Sequence, residues 1–373
     1  MKVNISSRVY LNNYTNRFQK LYQINGKKEL KTLNFGIGED VNLIKNEDLE
    51  EFSRICAKKV NYGYSENICP GLKEAFSFYS LKNYGVYLQN DNLTFSMGIK
   101  NALNKLAFLL VNKEDKVLVT SPGYNVFERA AKIYGAEIKR VYLTEENNYS
   151  PDLVEFCKSN DYIPKIIQIN YPNNPTGRSV NFNYYQKLVS FARENNIIVI
   201  NDAAYIDYTF RYYPISILSQ GMDNLIELYS ASKSFGLTGA RVGVIAGDKQ
   251  IISALDMIRD QFDSGSSKIF LEFYKYFLLN KNIEENRKKY RLRYFKMRNV
   301  LQKIGFEVQP LDSTFYVFFK ICENSINYAS DLRKNKNILL IPYEIEGENY
   351  IRMSLTYKEE NDLELFEQRM SEQ

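Results

Sequence analysis

The residues best suited to chemistry lie between Ser230 and Arg241, in the sequence SASKSFGLTGAR. Lys233 stands between two serines in this segment, and two glycines precede the arginine that ends it. Strand-like apolar runs, Leu225–Tyr229 and Val242–Ala246, flank the segment on both sides. The pattern predicts a glycine-bent loop that holds an amine, hydroxyls and a guanidinium between two strands.

These side chains are suited to a ligand that carries both a phosphate and an aldehyde. Hydroxyls and arginine bind phosphate oxygens well, because the guanidinium presents a planar fork of donors. A lysine amine beside a bound phosphate can attach an aldehyde covalently. The segment therefore predicts pyridoxal phosphate carried on Lys233. Taken alone, it leaves open a solvated lysine on a loop of small residues.

The composition excludes several kinds of catalytic site. The 373 residues include no histidine, which rules out a Ser-His-Asp hydrolase, a histidine-ligated metal site and a histidine general base. The four cysteines form no CxxC pair, which argues against a zinc site or a disulfide framework and suits a reducing cytoplasm. Any proton transfer must use Lys, Tyr, Asp, Glu or Cys.

Charge and hydropathy limit the partners we expect. The net charge is +5, and Lys and Arg are scattered among acidic residues, so no basic block predicts nucleic-acid binding. The apolar runs are too short to span a bilayer, and the N-terminus lacks the apolar core of a signal peptide. We expect a cytoplasmic protein with small-molecule partners and no nucleic-acid or membrane partner.

Strands and helices alternate along most of the chain, which is typical of an α/β fold. The predicted strands of the larger part are Leu93–Ser96, Val117–Thr120, Glu137–Tyr142, Lys165–Ile169 and Ile197–Ile200, with helices after Gly98 and at about Val126–Tyr134 and Tyr184–Glu194. A long helix, about Ile283–Ile304, leads into a smaller α+β part. That part has predicted strands Thr314–Phe319, Ile338–Ile341 and Tyr350–Leu355, and helices Ile326–Lys334 and Lys358–Met370.

The length allows two subdomains, each with its own core. We predict an N-terminal arm and part of the small domain at 1–37, a large cofactor-binding domain at 38–283 and a small C-terminal domain at 284–373.

Several polar groups follow predicted strands, where open α/β sheets place ligand-binding residues. Asp202 follows a buried strand and needs a cationic partner, either a protonated pyridine nitrogen or an arginine. Gly98 separates a strand from a helix, so the amides of Ile99 and Lys100 are predicted to face an anion. Tyr124 places an aromatic ring on a turn after another strand.

Four segments occur in the order and spacing of one enzyme family. They are NYPNNPTG at Asn170–Gly177, DAAY at Asp202–Tyr205, SASKSFGLTGAR at Ser230–Arg241 and YIRMS at Tyr350–Ser354. From about Leu33 to its end, the chain resembles a fold-type-I, pyridoxal-phosphate-dependent aminotransferase of class I/II. The pieces NDAAY, Asp263-Ser-Gly265 and Ser313-Thr-Phe-Tyr-Val317 resemble the LL-diaminopimelate aminotransferase branch.

The resemblance implies a fold, an activity and an assembly. The fold would be a large α/β/α sandwich domain with a mixed, mostly parallel sheet, plus a smaller α+β domain. The activity would be ping-pong transfer of an α-amino group between an L-amino acid and a 2-oxo acid. The assembly would be a homodimer with shared active sites.

The resemblance also assigns roles around the cofactor ring. Lys233 would attach pyridoxal phosphate and then move the α-proton of the substrate. Asp202 would pair with the pyridine nitrogen and keep it protonated. Tyr205 and Asn174 would hydrogen-bond the phenolic oxygen of the ring, and Tyr124 would stack on its face.

The remaining roles concern the phosphate and the substrate carboxylate. The phosphate would be held by Ser230, Ser232, Arg241, the amides of Ile99 and Lys100, and Tyr64 of the other subunit. Tyr62 is the alternative to Tyr64 for the contact between subunits. Arg352 would bind the substrate α-carboxylate, helped by Asn174 and the Gly38 backbone.

The sequence leaves the reaction and the substrate partly open. A lyase, decarboxylase or oxidase that acts on an amino acid could use the same scaffold, because these motifs bind only the cofactor and the α-carboxylate. A regulatory module that binds pyridoxal phosphate is disfavoured, since no DNA-binding domain is appended and the lysine is present. No arginine for a distal substrate carboxylate stands out, so the substrate is not fixed.

Overall fold

The computed structural model describes residues 6, 8, 21–65, 69–210 and 213–372. Strands are numbered along the chain: β1 (Leu33–Asn34), β2 (Leu93–Ser96), β3 (Lys116–Ser121), β4 (Glu137–Tyr142), β5 (Ile166–Ile169), β6 (Ile198–Asp202), β7 (Leu225–Ser230), β8 (Gly243–Gly247), β9 (Tyr316–Ile321), β10 (Ile338–Leu339), β11 (Ile341–Ile345) and β12 (Glu348–Ser354).

The helices within the described ranges are numbered in the same way. They are α1 (Asn46–Cys56), α2 (Leu72–Tyr84), α3 (Ile99–Leu110), α4 (Val126–Ile133), α5 (Leu153–Ser159), α6 (Phe182–Glu194), α7 (Ala231–Ser234), α8 (Lys249–Met257), α9 (Lys268–Asn280), α10 (Ile283–Lys303), α11 (Ser325–Lys336) and α12 (Asp362–Ser371). None of them is long and apolar enough to cross a membrane.

A mixed sheet forms the centre of the larger part, with strand order β2-β8-β7-β6-β5-β3-β4. β8 runs antiparallel to both of its neighbours, and all the other pairs are parallel. Side chains alternate between faces along each strand: Leu118 enters one apolar core, while Val117 and Val119 enter the other. Helices must cover both apolar faces, which leaves the carboxyl edge of the parallel strands for polar groups.

The smaller part contains an antiparallel sheet with strand order β11-β12-β9. The register of this sheet places Arg352 opposite Ile341 on one side and opposite Phe318 on the other. β1 pairs in parallel with β10, so the chain that follows β1 starts beside the smaller sheet. That pairing directs residues 35–40 towards the carboxyl edge of the larger sheet.

Residues 35–38 are held through four consecutive backbone carbonyl groups. The donors come from β12, from the residues just after it, and from the segment after β7. The pairs are Ser354 N to Phe35 O at 2.6 Å, Arg352 Nη2 to Gly36 O at 2.6 Å, Thr356 Oγ1 to Ile37 O at 2.9 Å and Lys233 Nζ to Gly38 O at 2.6 Å. We call residues 35–40 the bridging segment, because it contacts both β12 and the segment after β7.

The predicted fold class is confirmed, and some local predictions are wrong. The strand predicted at Ile338–Ile341 is two strands, because β10 pairs with β1 whereas β11 pairs with β12. The predicted loop after β7 contains the short helix α7. The helix α1 was not predicted. The domain boundaries at 37/38 and 283/284 stay predictions, and the part of the N-terminal arm before residue 21 lies almost entirely outside the described residues.

Candidate active site

A cleft of about 1110 Å³ lies between the carboxyl edge of the large sheet and the smaller sheet. Its wall includes Gly38, Lys100, Tyr124, Asn174, Lys233 and Arg352, all of which were predicted as site residues from the sequence. These residues come from separate parts of the chain. The fold therefore brings together an amine, an aromatic ring, an amide and a guanidinium at one opening.

Lys233 lies in α7, a short helix that begins directly after the last residue of β7. Its half-buried amine donates a 2.6 Å hydrogen bond to Gly38 O and lies 5.9 Å from the centre of the Tyr205 ring. Gly236 allows this contact: its φ is +72°, and a Cβ added there would lie 2.3 Å from Asp40 O. Only glycine combines that backbone conformation with so close a packing of the bridging segment.

Asp202 ends β6 and is almost completely buried. One carboxylate oxygen accepts a 3.2 Å hydrogen bond from the backbone amide of Ala204. Burial raises the pKa of Asp202 to about 7, and the Ala204 amide and the charge of Lys233 offset only part of this effect. A buried carboxylate with so little compensation fits a cationic partner, such as the protonated ring nitrogen of pyridoxal phosphate.

Tyr205 is also buried, and the centre of its ring lies 5.9 Å from the Lys233 amine. Its hydroxyl oxygen lies 3.0 Å from that of Tyr316, and either one can be the donor. Burial raises the pKa of Tyr205, and the neighbouring Tyr316 hydroxyl adds to the increase. Tyr205 is therefore a neutral phenol that can donate a hydrogen bond.

Arg352 extends from β12 into the wall of the cleft. Its Nη1 donates to Asn174 Oδ1 at 2.9 Å, its Nη2 donates to Gly36 O, and its guanidinium carbon lies 4.1 Å from the centre of the Tyr316 ring. The buried Nε has no hydrogen-bond partner among the described residues. A buried, uncompensated donor on a fixed guanidinium suits a carboxylate ligand.

Several hydrogen-bond donors lie close together at the start of α3, beside β7 and β8. Gly98 has a φ of +79°, and a Cβ added there would lie 2.6 Å from Arg241 Nη2, so the guanidinium lies over the start of the helix. Gly243 pairs with Ser230, and a Cβ at Gly243 would lie 3.0 Å from Ile99 N. The first amides of a helix lack intrahelical acceptors.

The rest of this donor cluster agrees with the predicted phosphate site. The Ile99 side chain is buried in the core, so only its backbone amide can meet a ligand. Ser232 is buried in the short helix that carries Lys233, and Lys100 lines the cleft. The donor set fits a phosphate group, and the missing side chain at Gly98 lets the Arg241 guanidinium lie close to the first amides of the helix.

Tyr64, which was also predicted as a site residue, does not line this cleft. Its side chain is 87% exposed and lines a separate cavity of about 600 Å³, together with residues of the segment Asp263–Ile269. Tyr62 lies beside it, and its hydroxyl donates to Cys56 O at 2.9 Å. Tyr64 thus has the more exposed ring of the two, whereas the hydroxyl of Tyr62 is already bonded within its own chain.

Two residues of the site were missed from the sequence. Tyr316 lies in the segment STFYV, which was quoted for the resemblance but given no role. Asn170 joins two predicted residues: its Nδ2 donates to Asp202 O at 2.7 Å, and its Oδ1 accepts from the Asn174 amide at 3.3 Å. Its position directly after β5 was the signal that could have identified it.

The raised pKa of Asp202 predicts a specific pH dependence of stability. In the ligand-free protein, Asp202 favours folding while it is protonated, so its contribution is complete below about pH 4 and is lost as the pH rises through about 7. Relative to Asp202→Asn, the free energy of unfolding of the wild type should fall by about 4 kcal/mol over this range. Denaturant unfolding of both proteins at several pH values measures the difference, and parallel profiles would contradict the prediction.

Comparison with known proteins gives the family. Residues 46–368 match the family model described as aminotransferase class I and II. The LL-diaminopimelate aminotransferase of Methanocaldococcus jannaschii is 33% identical over 354 residues, which cover 89% of this chain and 83% of that protein. That of Methanococcus maripaludis is 31% identical over 354 residues, which cover 90% of this chain and 84% of that protein.

Solved structures show the same fold. A substrate-bound structure of BacF from Bacillus subtilis is 27% identical, has a TM-score of 0.92 and covers 99% of this chain and 98% of its own. The aspartate aminotransferase of Thermotoga maritima has a TM-score of 0.87 at 22% identity, with 98% of each chain covered, and shows the fold alone.

These findings confirm the predicted family and activity, and none of them favours the lyase, decarboxylase or oxidase alternative. The family implies pyridoxal phosphate as the cofactor, and amino acids and 2-oxo acids as small-molecule substrates. The chain belongs to the class I and II aminotransferase family, in its LL-diaminopimelate aminotransferase branch, and is an enzyme that transfers amino groups.

Proposed function

We propose that this enzyme transfers the α-amino group of an L-amino acid to a 2-oxo acid, with pyridoxal phosphate attached to Lys233 and the substrate carboxylate bound by Arg352. The observation that carries the proposal is the cleft itself. Lys233 and the hydrogen-bonded pair Arg352–Asn174 all line it. The bridging segment separates the two cations, because Gly36 O binds Arg352 and Gly38 O binds Lys233.

The donor cluster at the start of α3 supports a phosphate site for the cofactor. Ser230, Ser232, Arg241 and the amides of Ile99 and Lys100 would hold the phosphate, and the positive end of the helix dipole would stabilise its charge. Tyr124 lines the same cleft and would cover the ring face. Asp202 would bind the ring nitrogen, and its pKa would return towards its ordinary value once it faces a cation.

When bound, pyridoxal phosphate supplies a ring that accepts the electrons released as the bond between the α-carbon and its hydrogen breaks. The chain supplies the proton transfers and the positioning. Once its amine is free of the cofactor and of Gly38 O, Lys233 Nζ would take the proton from the substrate α-carbon and deliver it to the cofactor carbon that carried the aldehyde. Tyr205 and Asn174 would donate hydrogen bonds to the phenolic oxygen of the ring, and Asp202 would keep a negative charge opposite the ring nitrogen.

The substrate carboxylate would replace contacts that Arg352 now makes within the protein. Arg352 Nη1 is bonded to Asn174, Nη2 to Gly36 O, and Nε is uncompensated, so the guanidinium is already oriented before the ligand arrives. A fixed planar fork binds a carboxylate at little entropic cost. We propose LL-diaminopimelate as the first amino acid to test, because the named relatives are its aminotransferases.

Charges of both signs at the outer part of the cleft agree with a substrate whose far end carries an amine and a carboxylate. Glu39 and Glu344 contribute negative charge, and Arg129 and Arg140 contribute positive charge. Arg140 and Lys132 bind the buried Glu128. Burial alone would raise the pKa of Glu128, but these two cationic partners lower it below its usual value.

The cytoplasmic location remains a prediction.

A half-reaction assay tests the proposed function. Holoenzyme mixed with LL-diaminopimelate, without a 2-oxo acid, should release one keto product per site and convert the cofactor to its amine form, which absorbance measures. Arg352→Lys keeps the charge but loses the fork, so the substrate KM should rise at least tenfold while cofactor affinity stays nearly unchanged. Release of ammonia or carbon dioxide, or an unchanged KM in Arg352→Lys, would contradict the proposal.

We further propose a homodimer in which Tyr64 completes the phosphate site of the other subunit. The support is the position of Tyr64, which is 87% exposed and lines a cavity separate from the cleft that contains Lys233. Tyr64→Phe should therefore weaken cofactor retention by one hydrogen bond, about 1–3 kcal/mol. Tyr62→Phe is the matched control and should retain the cofactor normally, because its hydroxyl binds Cys56 O.

Hybrid dimers test whether the contact crosses between subunits. When a Tyr64→Phe chain is paired with a Lys233→Ala chain, the only lysine-bearing site receives an intact Tyr64, so it should bind the cofactor normally. When the wild-type chain is paired with a chain carrying both substitutions, that site receives Phe and should lose cofactor. Cofactor release is measured after gel filtration. The reverse pattern, with loss from the first hybrid and retention in the second, would place Tyr64 in its own subunit, and equal release from both would show that Tyr64 does not hold the cofactor; either result refutes the shared site.

A further inference from the structure

Tyr316 contacts three residues of the proposed site without lining the cleft itself. It is the first residue of β9, and only 2% of its surface is exposed. We infer that Tyr316 is a positioning residue, which holds the Tyr205 hydroxyl and the Arg352 guanidinium in one fixed arrangement. The inference rests on the proposed function, because it assigns Tyr205 to the cofactor and Arg352 to the substrate.

The hydroxyl of Tyr316 is confined on two sides. Its oxygen lies 3.0 Å from the Tyr205 hydroxyl oxygen, and the two ring centres are 5.5 Å apart with an interplanar angle of 68°. It also lies against Gly38, where an added Cβ would be only 1.7 Å away. A buried hydroxyl needs a partner, so this pair fixes the direction in which Tyr205 can donate.

The ring of Tyr316 supports Arg352 from its face. Arg352 lies on β12, diagonal to Tyr316 across the antiparallel pair, since Tyr316 is opposite Ser354 and Arg352 is opposite Phe318. The guanidinium carbon lies 4.1 Å from the ring centre. Stacking on the ring fixes the plane of the guanidinium and stabilises its buried charge.

Tyr316 is itself held by a turn that contacts the larger part of the molecule. Thr314 lies in this turn with a φ of +68°. Its Oγ1 accepts a 3.1 Å hydrogen bond from the backbone amide of Tyr316, and its own amide donates a 2.7 Å hydrogen bond to Tyr208 O. Ser313 donates its amide to Gly177 O at 2.9 Å, at the end of the loop that carries Asn174. The turn thus fixes Tyr316 relative to the segments that carry both Tyr205 and Asn174.

Two substitutions separate the hydroxyl from the ring. Tyr316→Phe keeps the ring under Arg352 and removes the contact with Tyr205, so kcat should fall about fivefold, as expected for one lost hydrogen bond. The absorbance titration of bound pyridoxal phosphate should shift to higher pH, because Tyr205 becomes a weaker donor. The charged groups nearest to Tyr205, which are Lys233, Asp202 and Arg352, are unchanged in this variant.

The ring is tested by ligand binding without turnover. Tyr316→Leu removes the stacking, so the Kd of an α-methylated amino acid, which has no α-hydrogen to lose, should rise about tenfold in calorimetry. In Tyr316→Phe the same Kd should stay within about twofold of the wild type. An unchanged Kd in Tyr316→Leu, or an equal rise in both variants, would overturn the role of the ring.

A matched control distinguishes positioning from stability. Tyr294 on α10 is also buried, and its hydroxyl donates to Gln309 O at 3.2 Å, but it contacts neither Tyr205 nor Arg352. Tyr294→Phe should lower stability in the same way while leaving the absorbance titration and the Kd unchanged. If Tyr294→Phe moves both readouts as far as Tyr316→Phe does, the effect is general loosening and the inference fails.

A double substitution tests whether the hydroxyl acts through Tyr205. In a Tyr205→Phe background, adding Tyr316→Phe should change kcat and the absorbance titration by less than about twofold, because the partner is already lost. Additive effects of the two substitutions would overturn the inference. Wild-type enzyme that fails to bind the cofactor or to transfer an amino group would instead reject the proposed function.

Discussion

The arrangement of the cleft depends on the position of the bridging segment, which is held to the larger part of the molecule by the 2.6 Å hydrogen bond from Lys233 Nζ to Gly38 O. This bond joins residues that are 195 positions apart and connects the segment after β7 to the bridging segment. The carbonyl two residues earlier, that of Gly36, accepts from Arg352. The spacing between the amine and the guanidinium is therefore set by one short piece of backbone, which β12 holds on one side and the segment after β7 on the other.

Burial of charge explains why this backbone cannot move freely. Arg352 and Asp202 are both buried, and such groups are costly unless they are compensated. Arg352 is compensated by Gly36 O, Asn174 and the Tyr316 ring, whereas Asp202 has only one amide and the distant charge of Lys233. Asp202, the less compensated of the two, lies where a cationic ring nitrogen would supply the missing charge. A site incomplete in this way gains stability when its ligand binds.

The sequence predicted the groups whose positions follow from parallel strands. Asp202 ends the buried strand β6, Lys233 lies in the short helix after β7, and Asn174 lies in the loop after β5; the carboxyl ends of these parallel strands meet at one edge. β10 and the start of β11 lie in one continuous apolar run of the sequence. Hydropathy does not report which sheet a strand joins, so it could not show that β10 pairs with β1 whereas β11 pairs with β12.

Other features depend on contacts that no local pattern shows. Tyr316 was missed because its role arises from a diagonal neighbour on β12 and from Tyr205, and both are far away in sequence. Tyr64 was predicted from its place in a loop and from the resemblance. In the single chain it is exposed and lines a cavity separate from the cleft, and its role between subunits stays a prediction.

The attachment of the cofactor to Lys233 is the central claim, and peptide mapping tests it most directly. Holoenzyme would be reduced with borohydride, digested and analysed by mass spectrometry, with Lys233→Ala protein treated in parallel. The account predicts that the cofactor is found on the peptide containing Lys233 and on none in the variant. Recovery of the cofactor on another lysine, or equal labelling of the variant, would contradict it.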